Sequence, residues 1–258
     1  MRSVSSIIPE AEKNFSIITV CRNAEKTIER TIDSVLKKNK IDNLSVEYII
    51  IDGASSDGTL DIVRSKDDII YISEQDDGVY DAMNKGIKLA TGKYIGIINA
   101  DDWYEPKILL DIKKLFDDEN IDVIHGNMRV FSGDNEIRMM RPSKAKWRKY
   151  IGMPINHPTM FVKSQVYKTI GLYNTNYKIA ADYDVYLRML RNQINVFYLD
   201  KVIANFRLGG LSSQKLAFKE SVKVRTENGI PLIIAILSVS LIQLVKYTRV
   251  LLVRGNSD

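Results

Sequence analysis

Two aspartates in succession, Asp101 and Asp102, follow the apolar run Tyr94-Ile-Gly-Ile-Ile-Asn99. Paired carboxylates at the end of a buried strand are costly unless something neutralises them. A hard divalent cation, Mg2+ or Mn2+, does so and can hold a diphosphate through its oxygens. The same acids also precede Pro106 and a predicted helix, and acids favour a helix N-terminus. A second block is Ile51-Asp52-Gly53-Ala54-Ser55-Ser56-Asp57-Gly58-Thr59. Its first carboxylate can accept hydrogen bonds from a ring N–H or from ribose hydroxyls, or it can belong to a tight Asp-Gly turn. A third block is Glu74-Gln-Asp76-Asp77-Gly78-Val-Tyr80-Asp81-Ala-Met-Asn84-Lys85-Gly86. Lys85, on a helix, could reach a phosphate or lie on a solvated face. None of these is a GxGxxG or P-loop motif, which weakens the dinucleotide and simple NTPase readings.

The elements that must position these residues alternate over the first hundred positions. Apolar runs over Phe15–Cys21, Val46–Asp52, Ile69–Ser73 and Tyr94–Asn99 predict strands. Helices are predicted between them over Ala24–Lys38, Thr59–Arg64 and Tyr80–Ala90, the last with Gly92 as a glycine cap. Strands such as Val46–Asp52 lack polar alternation, as expected of strands buried on both faces of a parallel sheet. The fold class is therefore α/β, with a mostly parallel, Rossmann-like central sheet flanked by helices. Ligands in such sheets sit outside the carboxyl ends of the strands. That rim holds Arg22 and Asn23, Asp52 and Gly53, Glu74 to Asp77, and Asn99 to Asp102. So many acids would repel an anionic ligand without a cation between. Downstream, helices are predicted over Lys107–Phe116, Asp184–Arg191 and Lys215–Glu227, with strands over Val123–Val130 and Val196–Leu199. Lys144–Pro158 reads as a basic loop or short helix.

Six prolines and 14 glycines in 258 residues leave no room for a long flexible linker. Cys21 alone cannot form an internal disulfide, which points to a reducing compartment. Two histidines and no cysteine pairs exclude the usual zinc signatures. The net charge of +5 suits nucleic acid, anionic lipid or a phosphorylated substrate. Met1 to Lys13 lacks the apolar core of a signal peptide. The tail is distinct: Pro231–Val245 is almost wholly apolar, and Lys246, Arg249 and Arg254 follow. That stretch falls short of the roughly 20 residues a spanning helix needs. It fits a helix lying in a membrane interface, or else a buried or dimer-forming helix.

Taken together in this order, the three blocks strongly resemble the family 2 glycosyltransferases with their GT-A type nucleotide-sugar domain, over Phe15 to about Ser213. The similarity is to bacterial enzymes of exopolysaccharide, capsule or colanic-acid-type synthesis. The resemblance implies roles. Thr19, Asp52 and Asn84 correspond to positions around the base and ribose of a uridine-type nucleotide. Asp101 and Asp102 match the metal-binding acidic motif, with Asn99 where relatives often have a carboxylate. Ala180-Ala181-Asp182-Tyr183-Asp184 resembles the Glu-Asp motif of the catalytic base. Ala181 replaces the Glu, Asp182 keeps the base role by position, and Asp184 is the fallback; Asp182 also suits a helix N-cap. His157 matches a position near the diphosphate, although a lone histidine is more often structural. Arg207 and Gly209-Gly210-Leu-Ser212 match a segment closing over the donor.

The expected enzyme is an inverting, metal-dependent transferase that moves a sugar from a nucleotide donor, UDP-linked, to a hydroxyl of a lipid-linked saccharide. The expected parts are a leader (1–13), a catalytic domain (14–229; donor half 14–105, acceptor half 106–229) and a C-terminal membrane-associating helix (230–258). The expected location is the cytoplasmic face of the membrane or the cytoplasm, with no nucleic-acid partner and with oligomerisation through the tail open. Two rivals are a nucleotidyltransferase and a catalytically degenerate partner of a polysaccharide assembly complex. The first wants a Gly-rich basic loop after the first strand, where this chain has Cys21-Arg22-Asn23-Ala24.

Overall fold

Every residue of the first strand, β1 (Phe15–Cys21), is buried, and the strand's two faces feed two different cores. Ile18 and Val20 point to one core; Phe15, Ile17 and Cys21 point to the other. In β2 (Val46–Asp52), Ile49 and Ile51 join the first core while Tyr48 and Ile50 join the second. Apolar residues are thus needed at successive positions, because alternate side chains enter separate layers of helices. The computed structural model describes residues 13–118, 120–143, 152–209 and 214–241. The leader up to residue 12, the basic stretch 144–151, Gly210 to Ser212 and the tail beyond residue 241 lie outside the described residues.

The remaining elements are α1 (Ile28–Leu36), α2 (Thr59–Arg64), β3 (Ile69–Ser73), α3 (Val79–Leu89), β4 (Tyr94–Asn99), β5 (Trp103–Tyr104), α4 (Ile108–Asp118), β6 (Val123–Ser132), β7 (Asn135–Met140), a 3-10 turn at His157–Thr159, β8 (Phe161–Lys163), α5 (Ser164–Ile170), α6 (Ala181–Arg191), β9 (Val196–Arg207) and α7 (Gln214–Glu227). A further helix covers residues 232–241. Among the described residues the strands form one nine-stranded sheet in the order β3-β2-β1-β4-β8-β6-β9-β5, with β7 paired to β6. The parallel arrangement holds from β3 to β4. Beyond β4 the sheet is mixed: β8 runs antiparallel to β4 and β6, while β9 runs parallel to β6.

Several boundaries differ from the sequence expectation. The helix α1 starts at Ile28, four residues after Ala24, because the intervening loop is tied to the β2–α2 loop. The helix α6 starts at Ala181, three residues before Asp184, and its N-cap is Ala180, so Asp182 is not the cap. The strand expected to end at Leu199 runs on to Arg207 and bulges against β6 on the way. Gly92 is not a helix cap: α3 closes at Ala90 in extended conformation. Gly92 is needed because β1 passes against it; a Cβ there would stand 2.6 Å from the Ser16 backbone nitrogen. Close approach also explains Gly86, where a Cβ would meet Ile18 Cγ2 at 2.4 Å, so α3 can lie directly on β1.

Candidate active site

At the carboxyl end of β2 the Asp52 side chain is fully buried and its oxygens are claimed by the protein. Oδ2 accepts from the Ser55 N–H (3.1 Å) and the Ser73 hydroxyl (2.7 Å), and Oδ1 accepts from the Ser55 hydroxyl and the Cys21 thiol (3.6 Å). Its partners come from the ends of β1 and β3, with which Asp52 is in register. Burial and the neighbouring Asp52 push the Cys21 thiol pKa up, so the thiol stays protonated and donates. Asp52 therefore holds three strand ends together. Gly53 sits beside it with its N–H on the Cys21 carbonyl at 2.8 Å, and a Cβ there would crowd Asp76.

Arg22 and Asn23 lie exposed on the rim. Asn23 adopts a positive φ of 53°, which an asparagine tolerates, and locks the neighbouring loop. Its N–H donates to Ser55 Oγ at 2.7 Å and its Oδ1 accepts from the Ser56 N–H at 2.8 Å. Thr19 lies beneath the rim rather than on it. It is fully buried, with its hydroxyl 2.9 Å from that of Tyr48, which satisfies two polar atoms inside the core.

Lys85 is the centre of an acidic cluster. Its Nζ lies 2.6 Å from Asp76, 2.7 Å from Glu74 and 3.4 Å from Asp81, and it donates to the Gln75 carbonyl at 3.2 Å. Hydrogen bonds to Asp76 and Glu74 raise its pKa. Lys85 thus neutralises the rim acids of the β3–α3 loop. Asn84, one residue earlier, faces inward: its Nδ2 donates to the Tyr173 carbonyl at 2.8 Å and its Oδ1 accepts the Tyr173 N–H at 2.9 Å.

The two aspartates after β4 differ sharply. Asp102 is fully buried. Its Oδ1 accepts the Arg207 N–H at 3.0 Å and its Oδ2 faces Asn99 Nδ2 at 3.4 Å, while its carbonyl accepts from Thr31. Asp101 is partly exposed. Burial raises the pKa of both, and the adjacent Asp101 raises that of Asp102 further. Among the described residues no group of three or more His, Cys, Asp or Glu side chains is placed to hold a metal. A cation at this strand end would find one available carboxylate, Asp101, and would draw its other oxygens from ligand and water, a donor set that suits Mg2+.

Over the same strand end, two cations flank an indole. The Arg30 guanidinium lies 3.3 Å from the Trp103 ring centroid and that of Arg207 lies 5.9 Å from it. Both reach Asp134, at 3.3 and 3.4 Å, on the exposed tip of the β6–β7 hairpin. The Arg207 Nε is buried without a hydrogen-bond partner among the described residues.

Asp182 occupies the first turn of α6, with its Oδ1 accepting the Tyr183 N–H at 2.7 Å. Burial raises its pKa; the charge of His157 and a hydrogen bond from Tyr80 act against that rise. Burial lowers the His157 pKa in turn, and its Nε2 lies 2.9 Å from the Tyr173 hydroxyl. The Tyr173 ring stacks on that of Tyr80 at 5.6 Å and 13°. Asp184 has a different task. It pairs with Arg188 at 2.9 Å and accepts from Asn228 at 2.8 Å, and Arg188 also binds the carbonyls of Ile170, Gly171 and Leu172. Asp184 is thus a buried fastener, whereas the Asp182 residue is half-buried and has no ion pair of that kind among the described residues.

The fold accordingly brings Asp52, Gly53, Asp76, Asp101 and Arg207 to one set of strand ends, and His157 to Asp182. Sequence reasoning missed Tyr80, Tyr173, Arg30, Trp103 and Asp134. Tyr80 stood inside the third block without a role; the others carry no local signal.

The sequence profile described as "Glycosyl transferase family 2" matches residues 16–181. A "PGL/p-HBAD biosynthesis glycosyltransferase" of Mycobacterium tuberculosis (strain ATCC 25177 / H37Ra) is 30% identical over 240 residues, covering 86% of this chain and 89% of that protein. The chondroitin synthase of Pasteurella multocida is 26% identical over 204 residues, which are 76% of this chain but 20% of that protein. The crystal structure of S. aureus TarS superposes with a TM-score of 0.67 at 19% identity, over 83% of this chain and 39% of that one. TarS 1-349 in complex with UDP-GlcNAc gives 0.66 at 18%, over 83% and 66%. Its sheet is that of the GT-A glycosyltransferases, and by sequence this chain belongs to glycosyltransferase family 2.

Proposed function

We propose that the chain is an inverting glycosyltransferase that takes a sugar from a nucleoside diphosphate donor, of the UDP type, and passes it to a hydroxyl of a saccharide. The observation that carries this reading is Asp182. It belongs to a half-buried residue; burial lifts the pKa of its carboxylate, which is held by Tyr80 and faces His157. A sugar hydroxyl is a weak nucleophile, and a base with a raised pKa takes its proton more readily as it attacks. The attacked anomeric carbon would lose its nucleoside diphosphate from the opposite face. Asp101 would hold Mg2+ or Mn2+, which when bound would supply charge neutralisation for the leaving group.

The other side chains bind and orient. Arg30 and Arg207 stand over Trp103 beside Asp101 and suit a diphosphate. Asp52, Gly53 and Asn23 shape the nucleoside end, with Asp52 acting through the loop it fixes. The name of the solved TarS complex, with UDP-GlcNAc, supports a UDP-linked donor. The mycobacterial relatives' name, which places them in PGL/p-HBAD biosynthesis, and the apolar tail support a lipid-linked acceptor in cell-surface glycan synthesis.

The test is calorimetric titration of the full chain with a panel of UDP- and other nucleotide sugars, with Mn2+ and with chelator, alongside transfer assays of Asp182→Asn. Metal-dependent donor binding that survives in Asp182→Asn while transfer disappears is the expected result. Full transfer activity in that variant removes Asp182 from the mechanism, and binding indifferent to chelator removes the metal.

A further inference from the structure

The helix over residues 232–241 carries its apolar residues on the wrong side for a helix that serves only to pack. Ala235 and Val239 are buried against the body, with Ile230 just before them. The outward side exposes Leu232 at 57%, Ile233 at 72%, Ile234 at 48%, Ile236 at 41%, Leu237 at 64% and Leu241 at 54%. At 100° per residue these positions spread across about 200° of the helix surface. Ser240 is the one exposed polar residue among them. A helix on a globular surface ordinarily puts charged and polar residues on that side. A contiguous patch of this kind marks an interaction surface.

Charge decides what the surface fits. From Asn228 to Ser257 the sequence has no acidic residue, and Lys246, Arg249 and Arg254 follow the exposed aliphatics. The preceding helix α7 exposes Lys219 and Lys223, the latter beside Glu227, while its Arg225 and Glu220 are buried. A broad aliphatic surface on a segment whose sequence carries cations and no acid from Asn228 to Ser257 complements a bilayer surface carrying anionic head groups. Among the described residues no helix is long and apolar enough to cross a membrane.

We infer that the outward face of the 232–241 helix docks the protein onto an anionic lipid surface, lying in its interface rather than crossing it. The inference is independent of the donor, the metal and the base. It also places the acceptor side at the membrane, because α7 packs on α6, which bears Asp182.

The test is sedimentation of the full chain with vesicles of phosphatidylcholine, and of phosphatidylcholine mixed with phosphatidylglycerol. Binding to the mixed vesicles at least about tenfold tighter than to neutral ones is expected, and it should weaken with salt. The triple variant Ile233→Ser, Leu237→Ser, Leu241→Ser should lose about tenfold in vesicle binding with its melting temperature and donor binding unchanged, because these side chains face outward. The charge reversals Lys246→Glu and Arg249→Glu should lower binding to the anionic vesicles alone, so the inference survives a misfolded triple variant. A wild-type chain that stays in solution with both vesicles overturns it, as does equal binding by all variants. A wild-type dimer that the triple variant turns into a monomer, without vesicle binding by either, also overturns it and assigns the face to a second copy.

Discussion

Asn84 on α3 closes both ends of its amide on the backbone of one residue, Tyr173, 89 positions further along the chain. The Tyr173 side chain in turn meets His157 with its hydroxyl and Tyr80 with its ring. A residue that the family pattern puts around the nucleotide also clamps, in this geometry, the cluster of Tyr173, Tyr80 and His157.

Asn84→Ala should therefore act on stability first. It strands a buried N–H and a buried carbonyl, at a cost of about 2 to 3 kcal/mol. Chemical denaturation should show that loss. Asn84→Asp should be worse than a neutral change, since a carboxylate would face the Tyr173 carbonyl.

Asp182 and Asp184 should separate function from stability. Burial raises the Asp182 pKa, so its ionised form costs the folded state stability once pH rises through that value. Asp182→Asn removes that cost and should leave stability at neutral pH equal or higher while abolishing transfer. Asp184→Ala strands Arg188 and Asn228 and should cost about 3 kcal/mol. Thermal melts and transfer assays on the two variants check both halves.

Tyr80→Phe should move the pH profile. The Tyr80 hydrogen bond holds the Asp182 pKa down against burial, so its loss lets that pKa climb. Activity requires the ionised base, so the acidic limb of kcat against pH should shift to higher pH. A fall in kcat with no shift would assign Tyr80 to packing alone.

Asp101 and Asp102 should also part. Asp101→Ala should keep the fold and lose metal-dependent donor binding. Asp102→Ala frees the Arg207 N–H and should destabilise by about 1 to 3 kcal/mol. Melting temperature with and without Mn2+ distinguishes them: only the Asp101 variant should melt like the wild type without metal and fail to respond to its addition.

The parallel half of the fold was legible because its signal is local. In β1 and β2 both faces are buried, so consecutive apolar residues such as Ile17-Ile18 and Tyr48 to Ile51 mark each strand. The second half hides its elements. The strand β8 has three residues, and every position of β7, which pairs with β6, is exposed. Asp101 and Asp182 drew attention in the sequence because each stands in a patterned block. The contacts of Asn84, Tyr80 and Tyr173 were not, because they depend on a meeting of α3 with a loop some ninety residues away. The ion pairs of Lys85 were hidden for the same reason: spacing puts it on a helix, but only the fold surrounds it with Glu74, Asp76 and Asp81.

The family profile stops at residue 181, yet the molecule does not divide there. Glu220 of α7 accepts the N–H groups of Lys178 and Ile179 at 2.7 and 2.9 Å, Glu227 holds the Tyr177 hydroxyl, and Asn228 reaches Asp184. These bonds prop the turn that delivers Asp182. A boundary of recognisable ancestry is therefore not a boundary of autonomous folding. Any shortened or chimeric version that keeps the three motifs but ends before residue 228 would retain the enzyme's vocabulary and lose its grammar.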